Sequence, residues 1–171
     1  MIRARTALPA LALLTLSACG GNDGADTAAG PAPERFTAVL NGASVVPATT
    51  STSTGSIRFE SAPGDSVMSF SLSVANMGGI TQAHLHNAAA GANGPTLAWL
   101  LPVNGNAAQQ PSVTLNGEIS LGTIEPAWIR SNPRLAMDSV KALLRAGRLY
   151  VDVHSSTSTA GEIRGQVQRA P

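Results

Sequence analysis

From Arg35 onward the chain runs in short stretches of alternating apolar and polar residues, broken by glycine, proline and asparagine roughly every ten positions, the period of a sandwich or barrel. This spacing predicts strands at Arg35–Leu40, Gly55–Glu60, Ser66–Val74, Gly79–His86, Thr96–Leu101, Ser112–Ser120, Arg148–His154 and Glu162–Gln168. The expected fold is all-β: an immunoglobulin-like or Greek-key sandwich or barrel of about eight antiparallel strands. Four Asn-Gly pairs, at Asn41, Asn93, Asn104 and Asn116, supply residues that tolerate the positive φ of tight turns. Asn116-Gly117 falls inside an expected strand, so that run is either a hairpin or carries a bulge. Only Pro133–Ala146 has a helical period, with Leu135, Val140, Leu143 and Leu144 on one side and Gly147 as its stop. Ala48–Gly55 reads as a Ser/Thr-rich loop with no evident chemistry.

The first 34 residues follow different rules. Arg3 and Arg5 precede an apolar stretch from Ala7 to Leu16, which is the layout of a secretion signal and is too short for the roughly 20 residues of a spanning helix. Leu16-Ser17-Ala18-Cys19 resembles the lipobox of bacterial lipoproteins. That resemblance implies a signal peptide over residues 1–18, lipid on Cys19, and retention at the outer membrane, since Gly20 rather than an aspartate follows. The alternative is a plain secreted protein cut after Ala18. Cys19 is the only cysteine, so no intrachain disulfide can form and the fold must hold by burial and hydrogen bonding. Residues 19–34 are small, polar or proline and form a flexible tether, leaving residues 35–169 as one β domain. The whole chain carries 11 basic and 10 acidic side chains; without Arg3 and Arg5 the balance is −1. No basic stripe remains to release phosphate counterions, which excludes nucleic acid as an expected partner.

Side chains at i and i+2 of a strand share a face. In Gln82-Ala83-His84-Leu85-His86, Ala83 and Leu85 form the core set, so His84 and His86 project from the other face. By the same rule Leu149, Val151 and Val153 point inward and Tyr150, Asp152 and His154 outward, as do Glu162, Arg164 and Gln166 of the last strand. All three histidines are therefore expected opposite the core and outside it. A His-x-His pair joined by a third imidazole makes a three-histidine site for zinc or copper, with metal–nitrogen bonds of about 2.0–2.1 Å. The candidate ligands are His84, His86 and His154, with Asp152 or Glu162 to orient an imidazole or to serve as a fourth ligand. The residue types alone favour a second reading, in which the three imidazoles are merely solvated or bonded to loop carbonyls near the sheet edge; the metal reading needs His154 to lie beside His84. Glu162 and Arg164 read as an exposed same-face ion pair worth about 0–1 kcal/mol.

Taken together, His84-Leu85-His86, Gly91-Ala92-Asn93-Gly94-Pro95, Tyr150-Val151-Asp152-Val153-His154 and Gly161-Glu162-Ile163-Arg164-Gly165-Gln166 resemble the CHRD domain, the repeat named from chordin. Phe36-Thr37-Ala38-Val39-Leu40-Asn41-Gly42 is similar to that family's opening. The chain departs from the family at Thr159-Ala160, where a proline is frequent, and at Asp152, where asparagine is common. The resemblance implies an exported all-β domain, often a lipoprotein, and no established reaction. Copper–zinc superoxide dismutases also place His-x-His on a β-barrel, but this chain has too few histidines for their two metals. Three functions are in play. The first is an envelope lipoprotein holding Cu or Zn through its histidines, and the second a metal-free scaffold that binds envelope proteins or glycans through loops such as Asn87–Pro95. The third, an oxidoreductase at an open copper site, has the least support, and no nucleophile or paired-carboxylate motif points to a hydrolase.

Overall fold

The computed structural model describes residues 32–61, 64, 66–102, 113–130 and 134–171. The expected leader, Cys19, the tether up to residue 31, Asn104-Gly105, Ser112 and Pro133 lie outside the described residues. Nine strands form among the described residues: β1 (Glu34–Asn41), β2 (Thr54–Ser61), β3 (Met68–Met77), β4 (Ile80–Asn87), β5 (Thr96–Leu101), β6 (Leu115–Ile124), β7 (Leu149–Ser155), β8 (Ile163–Gln166) and the two-residue β9 (Gln168–Arg169). All pairings are antiparallel, in the order β5-β4-β7-β8-β1-β2-β3-β6, with β9 also pairing β1. The two ends of this sheet approach each other, and Ser120 Oγ on β6 donates to the Leu100 carbonyl on β5 at 2.5 Å. The fold is thus a nearly closed, barrel-like antiparallel sheet with one helix, as the alternation predicts.

The inward positions fill the barrel. Phe36 and Leu40 from β1, Ile57 and Phe59 from β2, Leu72 from β3, Leu85 from β4 and Val151 and Val153 from β7 are at most 1% exposed. Alternation produces this directly, because a period of two puts every second residue on the concave face. Asn116-Gly117 resolves as an irregularity within β6: the β3–β6 register shifts on either side of it and Gly117 takes φ 123°. The helix is shorter than expected. α1 spans Met137–Arg145 and buries Met137, Val140 and Leu144, and the chain then turns at Gly147, whose φ of 62° favours glycine. The backbone N–H of Arg148 closes that turn on the Leu143 carbonyl at 2.9 Å.

Candidate metal centre

Strands β4 and β7 set the site by their register. His84 lies opposite Asp152, His86 opposite Tyr150, and Gln82 opposite His154, so His84 and His154 are diagonal neighbours on one face. On the other side of β4, His84 lies opposite Trp99 of β5. The face is the one opposite the apolar core, as alternation requires. It is not exposed, however. His84, His86, Asp152 and His154 are 6%, 9%, 7% and 7% exposed, which corrects the expectation of outward, solvated imidazoles. The loops after β4 and β7 close over them: His86 Nδ1–H donates to the Gly94 carbonyl at 2.9 Å and His154 Nδ1–H to the Thr159 carbonyl at 2.9 Å. The edge of the Trp99 ring packs on His84 with centroids 4.8 Å apart.

Those two carbonyls fix the chemistry. A carbonyl only accepts, so His86 and His154 carry hydrogen on Nδ1 and turn Nε2 inward, where it holds a lone pair whenever the ring is neutral. His86 Nε2 and His154 Nε2 then lie 3.2 and 3.1 Å from Asp152 Oδ1, and His84 Nδ1 lies 3.7 Å from the same oxygen and 3.2 Å from His154 Nε2. One potential ligand atom from each of the four residues lies within 4.8 Å of the others. Four ligands held tetrahedrally at about 2.0–2.1 Å from a metal stand about 3.3–3.4 Å apart; the separations of 3.1–3.7 Å around Asp152 Oδ1 and His154 Nε2 lie near such edges, while the group as a whole spans up to 4.8 Å. His84 Nε2 and His86 Nε2 are buried without an aligned hydrogen-bond partner.

The ionisation of the cluster agrees with this arrangement. Burial alone would raise the Asp152 carboxyl, but the imidazoles against it, His154 in a hydrogen bond and His84 and His86 beside it, hold it well below the usual carboxylate range. Burial lowers His84. Burial also opposes charge on His154, but the Asp152 carboxylate and the Thr159 carbonyl outweigh it and raise that imidazole. A positive charge among the four groups is therefore favoured, either as a proton on His154 or as a metal ion.

A second layer holds His86. The Tyr150 ring stacks on it, centroids 4.8 Å apart and planes 6° from parallel, and the Arg164 guanidinium carbon lies 3.4 Å from the Tyr150 ring centre. Arg164, only 2% exposed, also donates to Asn93 Oδ1 at 2.9 Å and to the Ala92 carbonyl at 2.8 Å, pinning the loop that carries Gly94. Gly94 N–H donates to the Tyr150 hydroxyl at 3.3 Å. A Cβ on Gly94 would collide with the Asn87 carbonyl, so this close return of the loop requires glycine.

The structure thus brings together His84, His86, His154 and Asp152 and leaves Glu162 elsewhere. Glu162 accepts from Ser51 Oγ at 2.8 Å and Ser53 Oγ at 2.9 Å, and Thr49 Oγ1 donates to its backbone carbonyl at 2.9 Å. The Ser/Thr-rich loop has this structural use: its hydroxyls satisfy a half-buried carboxylate, which therefore neither ligates with the histidines nor pairs with Arg164. The sequence reading missed Arg164, Tyr150 and Trp99 as parts of the site. Their signal was present, since Tyr150 and Arg164 fall on the same alternate positions as Asp152 and His154.

Fold and site together define a nearly closed antiparallel β-barrel with an imidazole–carboxylate cluster buried under two loops on the outside of its wall. Residues 36–167 match the family described as the CHRD domain, and the chain belongs to that family. No curated protein and no solved structure matches it.

Proposed function

We propose that the protein is a metal-binding module of the cell envelope, in which His84 Nδ1, His86 Nε2, His154 Nε2 and Asp152 Oδ1 hold one zinc or copper ion. The observation that carries this reading is the burial together of four potential ligand groups within 4.8 Å of one another, with Asp152 Oδ1 3.1–3.7 Å from the three imidazoles and two of those rings oriented by backbone carbonyls. Three imidazoles and one carboxylate suit borderline ions, and copper stands highest in divalent affinity. Four protein ligands under closed loops favour holding or delivering the ion, or bracing the domain, over turnover at an open coordination position. The lipobox-like Leu16-Ser17-Ala18-Cys19 supports a lipid anchor on Cys19, with residues 20–33 as the tether between membrane and barrel, since Glu34 already pairs in β1.

Calorimetric titration of copper and of zinc into protein stripped on a chelating resin tests the reading. One ion per chain is expected, with the His84→Ala/His86→Ala double variant weakened by more than about 100-fold. Unchanged uptake in that variant would remove these ligands from the account and leave a metal-free envelope scaffold.

A further inference from the structure

Away from the histidine cluster lies a cavity of about 420 Å³ lined by Trp99, Ala127, Trp128, Ile129, Arg130 and Arg134. Its floor is fixed by the fold. Ile129 is 1% exposed and anchors the segment, and the Arg130 backbone N–H donates to the Leu97 carbonyl of β5 at 2.8 Å. This places the base of Arg130 beside Trp99, and its guanidinium carbon lies 5.2 Å from the centre of the Trp99 ring. Stacking on an indole restricts a long side chain and leaves the N–H fork free to bind outward.

Among the described residues no acidic side chain lines the cavity. Among the described residues no carboxylate pairs with Arg130 or Arg134, whereas Arg35, Arg145 and Arg169 each meet a glutamate. Two guanidinium groups therefore border one recess without a counter-charge, one of them already oriented. The volume falls in the range that takes a metabolite-sized ligand rather than a lone water. We propose that this cavity binds a small molecule bearing an oxyanion group, a carboxylate or a phosphate, gripped by Arg130 and Arg134 against the two indoles. A planar guanidinium fork matches two oxygens of either group in parallel hydrogen bonds, and orientation in advance lowers the entropy lost on binding. The site stands apart from the metal reading, although Trp99 is a wall common to both because its ring also meets His84.

The chain has two tryptophans and both line the cavity, so intrinsic fluorescence reads it directly. Titrating the full chain, stripped on a chelating resin, with inorganic phosphate and separately with succinate should give a saturable change that sodium chloride at matched ionic strength does not. Saturation by one anion alone identifies the source of the oxyanion, and saturation by both supports the shared chemistry. The Arg130→Gln/Arg134→Gln variant should bind at least about tenfold more weakly when the same titrations are followed by calorimetry, which is independent of any altered Trp99 emission. No saturable response to either anion up to about 10 mM, or equal affinity in the double variant, would overturn the proposal.

Discussion

Strands β2 and β7 are both alternating sequences on the wall of one barrel, yet they meet the solvent differently. β2 buries every second residue over most of its length and presents Thr54, Ser56, Arg58 and Glu60 to water, whereas all seven residues of β7 are buried. On β2 the outer face is simply solvated. On β7 the outer residues Tyr150, Asp152 and His154 are covered by the loops after β4 and β7, and every polar atom placed there needs a partner inside the protein. Alternation fixes which way a side chain points and says nothing about what lies above it. A strand with polar residues on its outer face and with long glycine-containing loops beside it can hide a site where a solvated surface is expected.

The two faces of β4 sharpen this contrast most strongly. Leu85 points into the core and is fully buried, so Leu85→Ala should lower the unfolding free energy by about 2–5 kcal/mol in urea titration while one metal ion per chain is still taken up. His84 is its neighbour on the other face, with Nε2 unpartnered and Nδ1 against another imidazole. In metal-stripped protein His84→Ala should stay within about 1 kcal/mol of the parent, because losing a poorly satisfied polar group offsets the lost packing. Equal destabilisation by the two substitutions would mean that the outer face of β7 and β4 is a second structural core rather than a site.

Arg164 comes next in expected size. Its guanidinium stacks on Tyr150 and pins the loop whose Gly94 carbonyl orients His86. Arg164→Met should weaken metal binding by about tenfold in a competition with a chromophoric chelator, and Arg164→Lys should not restore it, because an ammonium cannot reproduce the planar fork. Recovery by lysine would make charge alone sufficient.

The smallest effect is at Glu162. Burial pushes its carboxyl up, but hydrogen bonds from Ser155, Ser51 and Ser53 prevail and leave it below the ordinary glutamate value. A carboxyl lowered in the folded state contributes stability that is complete above its unfolded value of about 4.3 and disappears as pH falls through the folded value. The parent should therefore lose stability between about pH 5 and pH 3 more steeply than Glu162→Gln, read from urea midpoints across that range. Parallel curves would show that the serine hydroxyls do not favour the ionised form.

Much of this architecture was legible in the residues. Most strand positions followed from a period of two, but the strand expected at Ser112–Ser120 runs instead from Leu115 to Ile124, and the last one splits into Ile163–Gln166 and Gln168–Arg169. The face carrying His84, His86, Asp152 and His154 followed from the same rule. Their convergence did not, because the pairing of β4 with β7 is a contact between segments 70 positions apart, which no local pattern encodes. Burial of the cluster was hidden for a related reason: it depends on Gly94 and Thr159 returning over the sheet, and both sit in stretches that read as ordinary turns. Glu162 was misjudged because its partners, Ser51 and Ser53, belong to a loop whose chemistry is visible only once it wraps onto β8. Arg164 was misread as a surface charge because an arginine at 2% exposure requires the aromatic ring and carbonyls that surround it here.

X-ray absorption spectroscopy of the zinc- or copper-loaded full chain addresses the four-ligand centre most directly. The account predicts a first shell of nitrogen and oxygen at about 2.0–2.1 Å with the outer-shell scattering of three imidazole rings. A sulfur neighbour at about 2.3 Å would place the ion on Cys19 instead, and an oxygen shell without imidazole scattering would place it away from His84, His86 and His154.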